Sequence, residues 1–335
     1  MYQRSLNSGK KVFAVAPMMD WSDRHCRFFH RLLSKQALLY TEMVVVDAIL
    51  HGDLDRHLRF SNAEHPIALQ LGGSEPEKLA KAAKIGASWE YDEINLNVGC
   101  PSDRVQSGTF GACLMLKPDL VGECVAAMRS VVDIPVTVKC RIGVDDQDTE
   151  TALDNLAEAV FANGCDALWV HARKAWLEGL SPKQNRDIPP LDYARVYRLK
   201  HKHPGRFIGI NGGVETLDDA NDHLKHVDGV MLGRAAYHNP EILRHVDNTI
   251  FASEDAPIEY DELAIKMMDY VAEHINSGGR ANHATRHMLG LFKGRAGSRR
   301  YRQIMTVEPC KPGANEQVID QAFAAVLNDE LMLTA

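Results

Sequence analysis

The sequence predicts a parallel (β/α)8 barrel, a TIM barrel, followed by a smaller all-helical C-terminal domain. Three observations carry that expectation. Short apolar or β-branched runs alternate with helical patterns, which is the signature of βαβ units. Eight such runs spread over about 235 residues, close to the ~250 this barrel needs. Beyond Asn239-Pro240 the alternation stops and only helical patterns remain.

The eight runs are Val12 to Met18, Ala37 to Val46, Pro66 to Leu71, Glu93 to Asn97, Pro135 to Cys140, Ala167 to His171, Arg206 to Asn211, and Gly229 to Leu232. Between them lie helical candidates at Glu75 to Ala87, Pro118 to Val131, Thr149 to Asn163, Asp192 to His201 and Leu217 to Lys225. A doubly wound sheet is the competing architecture. It calls for a Gly-x-Gly-x-x-Gly turn after its first strand, where this chain has Ala16-Pro17-Met18-Met19-Asp20-Trp21. The later helical patterns are Tyr260 to Ser277, Ala281 to Arg295 and Asn315 to Asn328, with the acidic, Pro-containing Ser253 to Pro257 as the expected joint. This divides the chain into a barrel domain, 1–250, and a helical domain, 251–335.

At 335 residues the chain is 45% hydrophobic and 25% charged, an ordinary globular balance that supports a sizeable core. No apolar run approaches the ~18 residues of a membrane span, and the opening residues lack a signal-peptide apolar region, so the expected location is the cytoplasm. The cysteines at 26, 100, 113, 124, 140, 165 and 310 are odd in number and scattered, with no Cys-x-x-Cys. Neither a disulfide framework nor a metal site is expected. The net charge of −7 argues against a polyanionic partner unless basic residues gather locally.

In this barrel, catalytic groups come from the C-terminal ends of the strands. The third run ends in Gln70, the fourth in Asn97 with Cys100 just beyond, the fifth in Lys139, the sixth in His171 and the seventh in Asn211. Singly, each polar residue has a bland alternative, a side chain that satisfies loop backbone or points to solvent. Five strands converging on one mouth point to a site. Asn211-Gly212-Gly213 after the seventh strand and Gly233-Arg234 after the eighth supply the phosphate signal, because barrels commonly bind phosphate there through backbone N–H groups. An adjacent arginine adds charge-assisted hydrogen bonds.

A bound phosphate with a polar ring suggests a phosphorylated planar cofactor, and flavin mononucleotide (FMN) fits better than a dinucleotide whose fingerprint is missing. Lys139 would then stabilise negative charge on the reduced ring, and Gln70 would hydrogen-bond its pyrimidine side. Pro17, Met18 and Met19 would lie against its edge, core packing being the alternative for one of the methionines. Cys100 precedes Pro101 and heads the loop Asp103 to Ala112, a candidate lid. A free thiol is mostly protonated at neutral pH, its reference pKa being about 8.5, and so can serve as a general acid. Two alternatives stand beside that role: a small buried residue, and a nucleophilic thiolate whose pKa Arg104 would lower.

Ala16-Pro17-Met18-Met19-Asp20-Trp21, Gln70-Leu71-Gly72, Asn95-Leu96-Asn97-Val98-Gly99-Cys100-Pro101-Ser102, Lys139-Cys140-Arg141-Ile142-Gly143, Val170-His171-Ala172-Arg173, Asn211-Gly212-Gly213 and Gly233-Arg234 together resemble the tRNA-dihydrouridine synthases. The run from Trp176 to Leu191 is similar to the bacterial A subfamily, and the likeness spans roughly residues 11 to 302. The resemblance implies NADPH reducing FMN, hydride passing from flavin N5 to uracil C6, and Cys100 protonating C5. It implies uridines 20 and 20a of the tRNA D-loop as targets. It places flavin contacts on Pro17, Met18, Met19, Gln70, Lys139, His171, Asn211, Gly212, Gly213, Gly233 and Arg234, and tRNA-reading contacts on Asn97, Lys183, Arg186, Arg299 and Arg302.

Between Arg280 and Arg302 stand seven Lys and Arg residues and no Asp or Glu. That local excess suits a phosphate backbone, with Tyr301 as a base-stacking candidate or a packed residue. A uridine must leave its stack to reach a barrel mouth. A flavin barrel acting on a free pyrimidine, like a dihydroorotate dehydrogenase, would not need this basic tail. A non-catalytic tRNA-binding protein would not need Cys100, Lys139 and His171 in one mouth.

Overall fold

The protein, described here by a computed structural model over residues 1–102 and 110–333, contains a closed parallel barrel in which all eight strands neighbour one another in sequence order. The strands are β1 (Val12–Val15), β2 (Leu38–Val45), β3 (Ile67–Gly72), β4 (Glu93–Val98), β5 (Val136–Arg141), β6 (Ala167–His171), β7 (Phe207–Asn211) and β8 (Gly229–Leu232). Pairing of β1 with β8 closes the ring. The eight predicted runs are these eight strands. The first is three residues shorter than expected, because Pro17 has no N–H to continue a ladder. In β2 the register shifts between Tyr40 and Met43.

The barrel core follows from side-chain volume. Trp169 on β6 is fully buried among Phe207, Tyr40, Leu38 and Met231. Its indole fits because its neighbours on β7 and β8 are glycines. A Cβ on Gly209 would lie 2.2 Å from Trp169 Cε3, and one on Gly229 would lie 2.7 Å from Cη2. The helix Tyr2–Ser8, which the hydrophobic pattern does not announce, places Tyr2 beneath this layer, edge-on to Phe207.

Inside the barrel lies a buried acid. Glu93, the first residue of β4, is 2% exposed and accepts from Tyr2 Oη at 2.5 Å, Tyr40 Oη at 2.6 Å and Thr137 Oγ1 at 2.5 Å. Burial dominates over these donors and pushes its carboxyl up to about 7.

The chain divides into two compact units, residues 1–20 with 37–233, and residues 21–36 with 234–335. The boundary therefore falls at Gly233/Arg234 rather than at 250, and the expected joint at 253–257 lies inside the helical unit. The reason is that Ser34, Lys35 and Gln36 all donate to the Asp247 carboxylate, tying the helix Arg24–Leu33 to the turns around Val246–Thr249. That helix buries Arg27 and Arg31, whose guanidiniums donate to the carbonyls of Ser22 and Ser34. Buried charge of this kind defeats a polar-outside pattern. The expected helix Ala281 to Arg295 ends at Thr285, continues as a 3-10 turn over Arg286–Met288, and then breaks. Phe292, Gly294 and Gly297 all have positive φ there, which a helix cannot contain. Helices Tyr260–Asn276, Ser298–Val307 and Gln317–Leu333 complete the unit.

Glu93 makes stability depend on pH in a predictable direction. A carboxyl whose folded pKa is raised contributes stability that is fully present below about pH 4.5 and is lost as pH rises through about 7, here ~3 kcal/mol. Thermal unfolding of the wild type and Glu93→Gln between pH 5 and 8 is expected to show the wild type losing stability relative to the variant across that window. Parallel curves would contradict the assignment.

Candidate active site

The C-terminal ends of the strands carry a connected set of polar groups. Asn97, at the end of β4, accepts through Oδ1 from the backbone N–H of Cys100 at 2.9 Å and of Gly99 at 3.1 Å, which folds the thiol's loop back over its own strand. Its Nδ2 donates to Gln70 Oε1 at 2.8 Å. Gln70 Nε2 donates to Asn95 Oδ1, and Asn95 Nδ2 to Thr137 Oγ1, both at 2.8 Å. Cys100 is half-buried, with Sγ 3.5 Å from Ser102 Oγ, and its carbonyl accepts from the N–H of Ala112. Arg104 and the rest of the expected lid from 103 to 109 lie outside the described residues.

Lys139 of β5 donates from Nζ to Asn211 Oδ1 at 3.1 Å, and Asn211 Nδ2 donates to the Met231 carbonyl at 2.7 Å. Desolvation and the neighbouring Arg141 bring the Lys139 ammonium down to about 8. The amine is thus held as a cation at neutral pH with little to spare. Arg141, almost wholly buried, donates Nε to the Gly99 carbonyl and Nη1 to those of Lys174 and Asn185, so one guanidinium ties the Cys100 loop to the loop after β6.

After β7, Gly212 and Gly213 have φ of +108° and +69°. A Cβ on Gly212 would meet His171 Cδ2 at 2.5 Å, and one on Gly213 would meet Leu191 Cδ1 at 2.5 Å and Tyr193 Oη at 2.7 Å. Tyr193 Oη donates to the Gly212 carbonyl at 2.9 Å, fixing the turn from outside. Only glycine fits this cradle, and its place at the ends of β7 and β8 is where a barrel holds phosphate. With the cation of Lys139, which reaches from β5 to Asn211 at the end of β7, these residues fit a phosphorylated flavin.

Gln70, Asn97, Cys100, Lys139 and Asn211 are thus joined by hydrogen bonds as two groups, and His171 packs on the Gly212 turn. Gly233 ends the barrel unit, with a Cβ there 3.6 Å from Met18 Sδ. Pro17 and Met18 are half-buried and Met19 is 55% exposed, so core packing does not account for Met19. Lys183 and Arg186 are exposed on the loop after β6, whose shape is set by buried Asn185 through Trp176 and Leu180.

Arg234 opens the helix Arg234–His238 in the helical unit, and Arg299 and Arg302 are exposed on Ser298–Val307. Two of the seven cations are otherwise engaged. Arg286 pairs with Asp23 at 2.6 Å, and Arg295 lies over the Tyr260 ring at 4.7 Å. Burial works against the Asp23 charge, yet His287 and Arg286 hold its carboxyl well below the usual range. Tyr301 is no base platform: it is fully buried and donates to the Met288 carbonyl. Arg280, Lys293, Arg299, Arg300 and Arg302 remain as the exposed basic set.

Among the described residues, no group of three or more His, Cys, Asp or Glu is arranged to hold a metal ion, and no helix is long and apolar enough to cross a membrane. Asn95, Thr137, Glu93, Arg141 and Tyr193 escaped the sequence reading. The first three carried a weak signal, polar residues at alternate positions of apolar strands.

The closed barrel with its glycine cradle, strand-end cation and loop thiol defines a flavin-using barrel enzyme. The chain belongs to the dihydrouridine synthase (Dus) family, matching it over residues 14–326. It is 53% identical over 332 residues to a tRNA-dihydrouridine(20/20a) synthase of Shewanella oneidensis, covering 98% of this chain and 99% of that one. It is 55% identical over 319 residues to the protein of the same description from Vibrio cholerae, covering 95% and 97%. A solved 2-naphthoyl-CoA reductase complex shares the fold at a TM-score of 0.54 and 10% identity, over 70% of this chain and 49% of that one.

Gly212→Ala tests the cradle. Positive φ and the collision with His171 are expected to cost roughly 1–3 kcal/mol and to lower flavin content in the purified protein. A variant with wild-type melting temperature and flavin content would show that the turn is not the phosphate cradle.

Proposed function

We propose that this protein reduces uridine to 5,6-dihydrouridine at positions 20 and 20a of the tRNA D-loop, with FMN as its flavin and NADPH as reductant. The observation that carries this reading is more than half identity, across nearly the whole chain, to proteins described as tRNA-dihydrouridine(20/20a) synthases. Bound FMN supplies a hydride from N5 to uracil C6 after reduction by NADPH. The chain's own residues do the rest.

Gly212, Gly213, Gly233 and Arg234 hold the phosphate, through backbone N–H groups and a guanidinium. Lys139 keeps its proton near neutrality and offsets negative charge at the pyrimidine edge of the ring, with Gln70 and His171 as hydrogen-bonding partners. Pro17, Met18 and Met19 line its edge. Cys100 stands as a thiol at the barrel mouth and gives its proton to C5 as C6 is reduced, so that both ends of the double bond are saturated. Asn97, Lys183, Arg186, Arg299 and Arg302 contact the RNA, the last two through backbone charge. Their grip offsets the cost of turning the uridine out of its stack. Cytoplasmic tRNA is the substrate pool, and the chemistry needs neither metal nor obligate protein partner.

Replacing Cys100 by Ala separates the two halves of the reaction. The variant is expected to retain bound flavin and its reduction by NADPH, while single-turnover reduction of tRNA uridine falls about 10²–10⁴-fold, the span of a lost general acid. Full tRNA activity in Cys100→Ala would remove the proton-donor role.

A further inference from the structure

We infer that Glu93 fixes the polarity of the amide that meets the substrate pyrimidine: through a one-way hydrogen-bond chain that passes through Gln70 it leaves Asn97 only an N–H donor to offer. The site then accepts a carbonyl-bearing uracil and rejects an amino-bearing cytosine. The specificity claim rests on the functional reading above; the chain itself does not.

The direction of the chain follows from the chemistry of its two ends, where Glu93 accepts and the backbone N–H groups of Gly99 and Cys100 donate. A carboxylate only accepts, so Thr137 must spend its single hydroxyl proton on Glu93 Oε1. The Thr137 oxygen is then an acceptor and takes a proton from Asn95 Nδ2. Asn95 Oδ1 consequently faces Gln70 Nε2, and Gln70 Oε1 faces Asn97 Nδ2. Asn97 Oδ1 is left for the backbone N–H groups of Gly99 and Cys100. A reversed amide at any point would set donor against donor in a buried interior, where an unmade hydrogen bond costs its full desolvation. Protonation of Glu93 need not disturb the order: a proton on Oε2 reverses only the bond in which Tyr2 Oη otherwise donates, and leaves Oε1 accepting.

Both amide oxygens are consumed within the chain. Each amide nitrogen donates one of its two protons there, and among the described residues no partner takes the second. Asn97 is 8% exposed, at the strand end beside Cys100, so the group it offers a pyrimidine is a donor. Uracil presents an acceptor oxygen at C4 where cytosine presents an NH2 donor. A site built to satisfy one leaves the other's buried donors unpaired. Glu93 is accordingly a positioning residue that acts through four intervening side chains.

Thr137→Val removes the link while conserving shape, and Thr137→Ser keeps it. In Thr137→Val, exchange of the Cys100 backbone N–H is expected to rise at least about tenfold, and kcat/KM for tRNA to fall roughly 10–100-fold, the cost of a misplaced reacting group. A transcript with cytidine at the target, a weaker competitor than the uridine transcript against the wild type, should compete equally well against the variant. Thr137→Ser should restore all three. If Thr137→Val does not fold, Glu93→Gln serves, since its amide can turn N–H toward Thr137 and reverse the chain. Wild-type exchange and wild-type uridine preference in the folded variant would overturn the inference. If the wild type proved inert on tRNA, the functional reading would fall, and the exchange measurement would still decide whether the chain exists.

Discussion

An acid that cannot reach water organises the interior of this barrel. Glu93 is buried beneath the β4 strand end, and a lone carboxyl there would be costly without donors. Tyr2, Tyr40 and Thr137 supply them, so the N-terminal helix, β2 and β5 are bound to β4 through one side chain. The same acid sets the sense of the hydrogen bonds that climb through Asn95 and Gln70 to Asn97, where the loop carrying Cys100 begins. Stability and the presentation of the site thus share one polar thread through an otherwise apolar core.

Around that thread the packing is complementary rather than merely apolar. Trp169 fills the barrel because Gly209 and Gly229 yield the space a Cβ would occupy. Its Nε1 donates to Tyr2 Oη at 3.3 Å, which joins the aromatic layer to the acid network. At the opposite end of the strands, Gly212 and Gly213 repeat the device for another purpose. Their missing Cβ atoms let His171, Leu191 and Tyr193 close on a turn that a phosphate can approach.

The order of strands was readable because each strand is a short apolar run, and the polar residues at the ends of five of those runs exposed Gln70, Asn97, Lys139, His171 and Asn211. Residues that act on other protein groups were not readable. Arg141 looks like an exposed cation in sequence, yet it is buried and holds three carbonyls from two separate loops. Helix Arg24–Leu33 was hidden because it buries two arginines, and the break after Thr285 because glycines and Phe292 at positive φ interrupt an otherwise periodic run. In the basic segment, sequence counted Arg286 as available, whereas Asp23, more than 260 residues away in the chain, neutralises it. Long-range pairing of this kind leaves no local pattern.

The central claim is that this chain, with its thiol at the barrel mouth, makes dihydrouridine at two positions of tRNA. Mapping dihydrouridine nucleotide by nucleotide in tRNA from cells lacking the gene tests it most directly. Loss of the modification at positions 20 and 20a, its retention elsewhere, and recovery with the wild-type gene but not with Cys100→Ala is the predicted result. Unchanged dihydrouridine at both positions would contradict it.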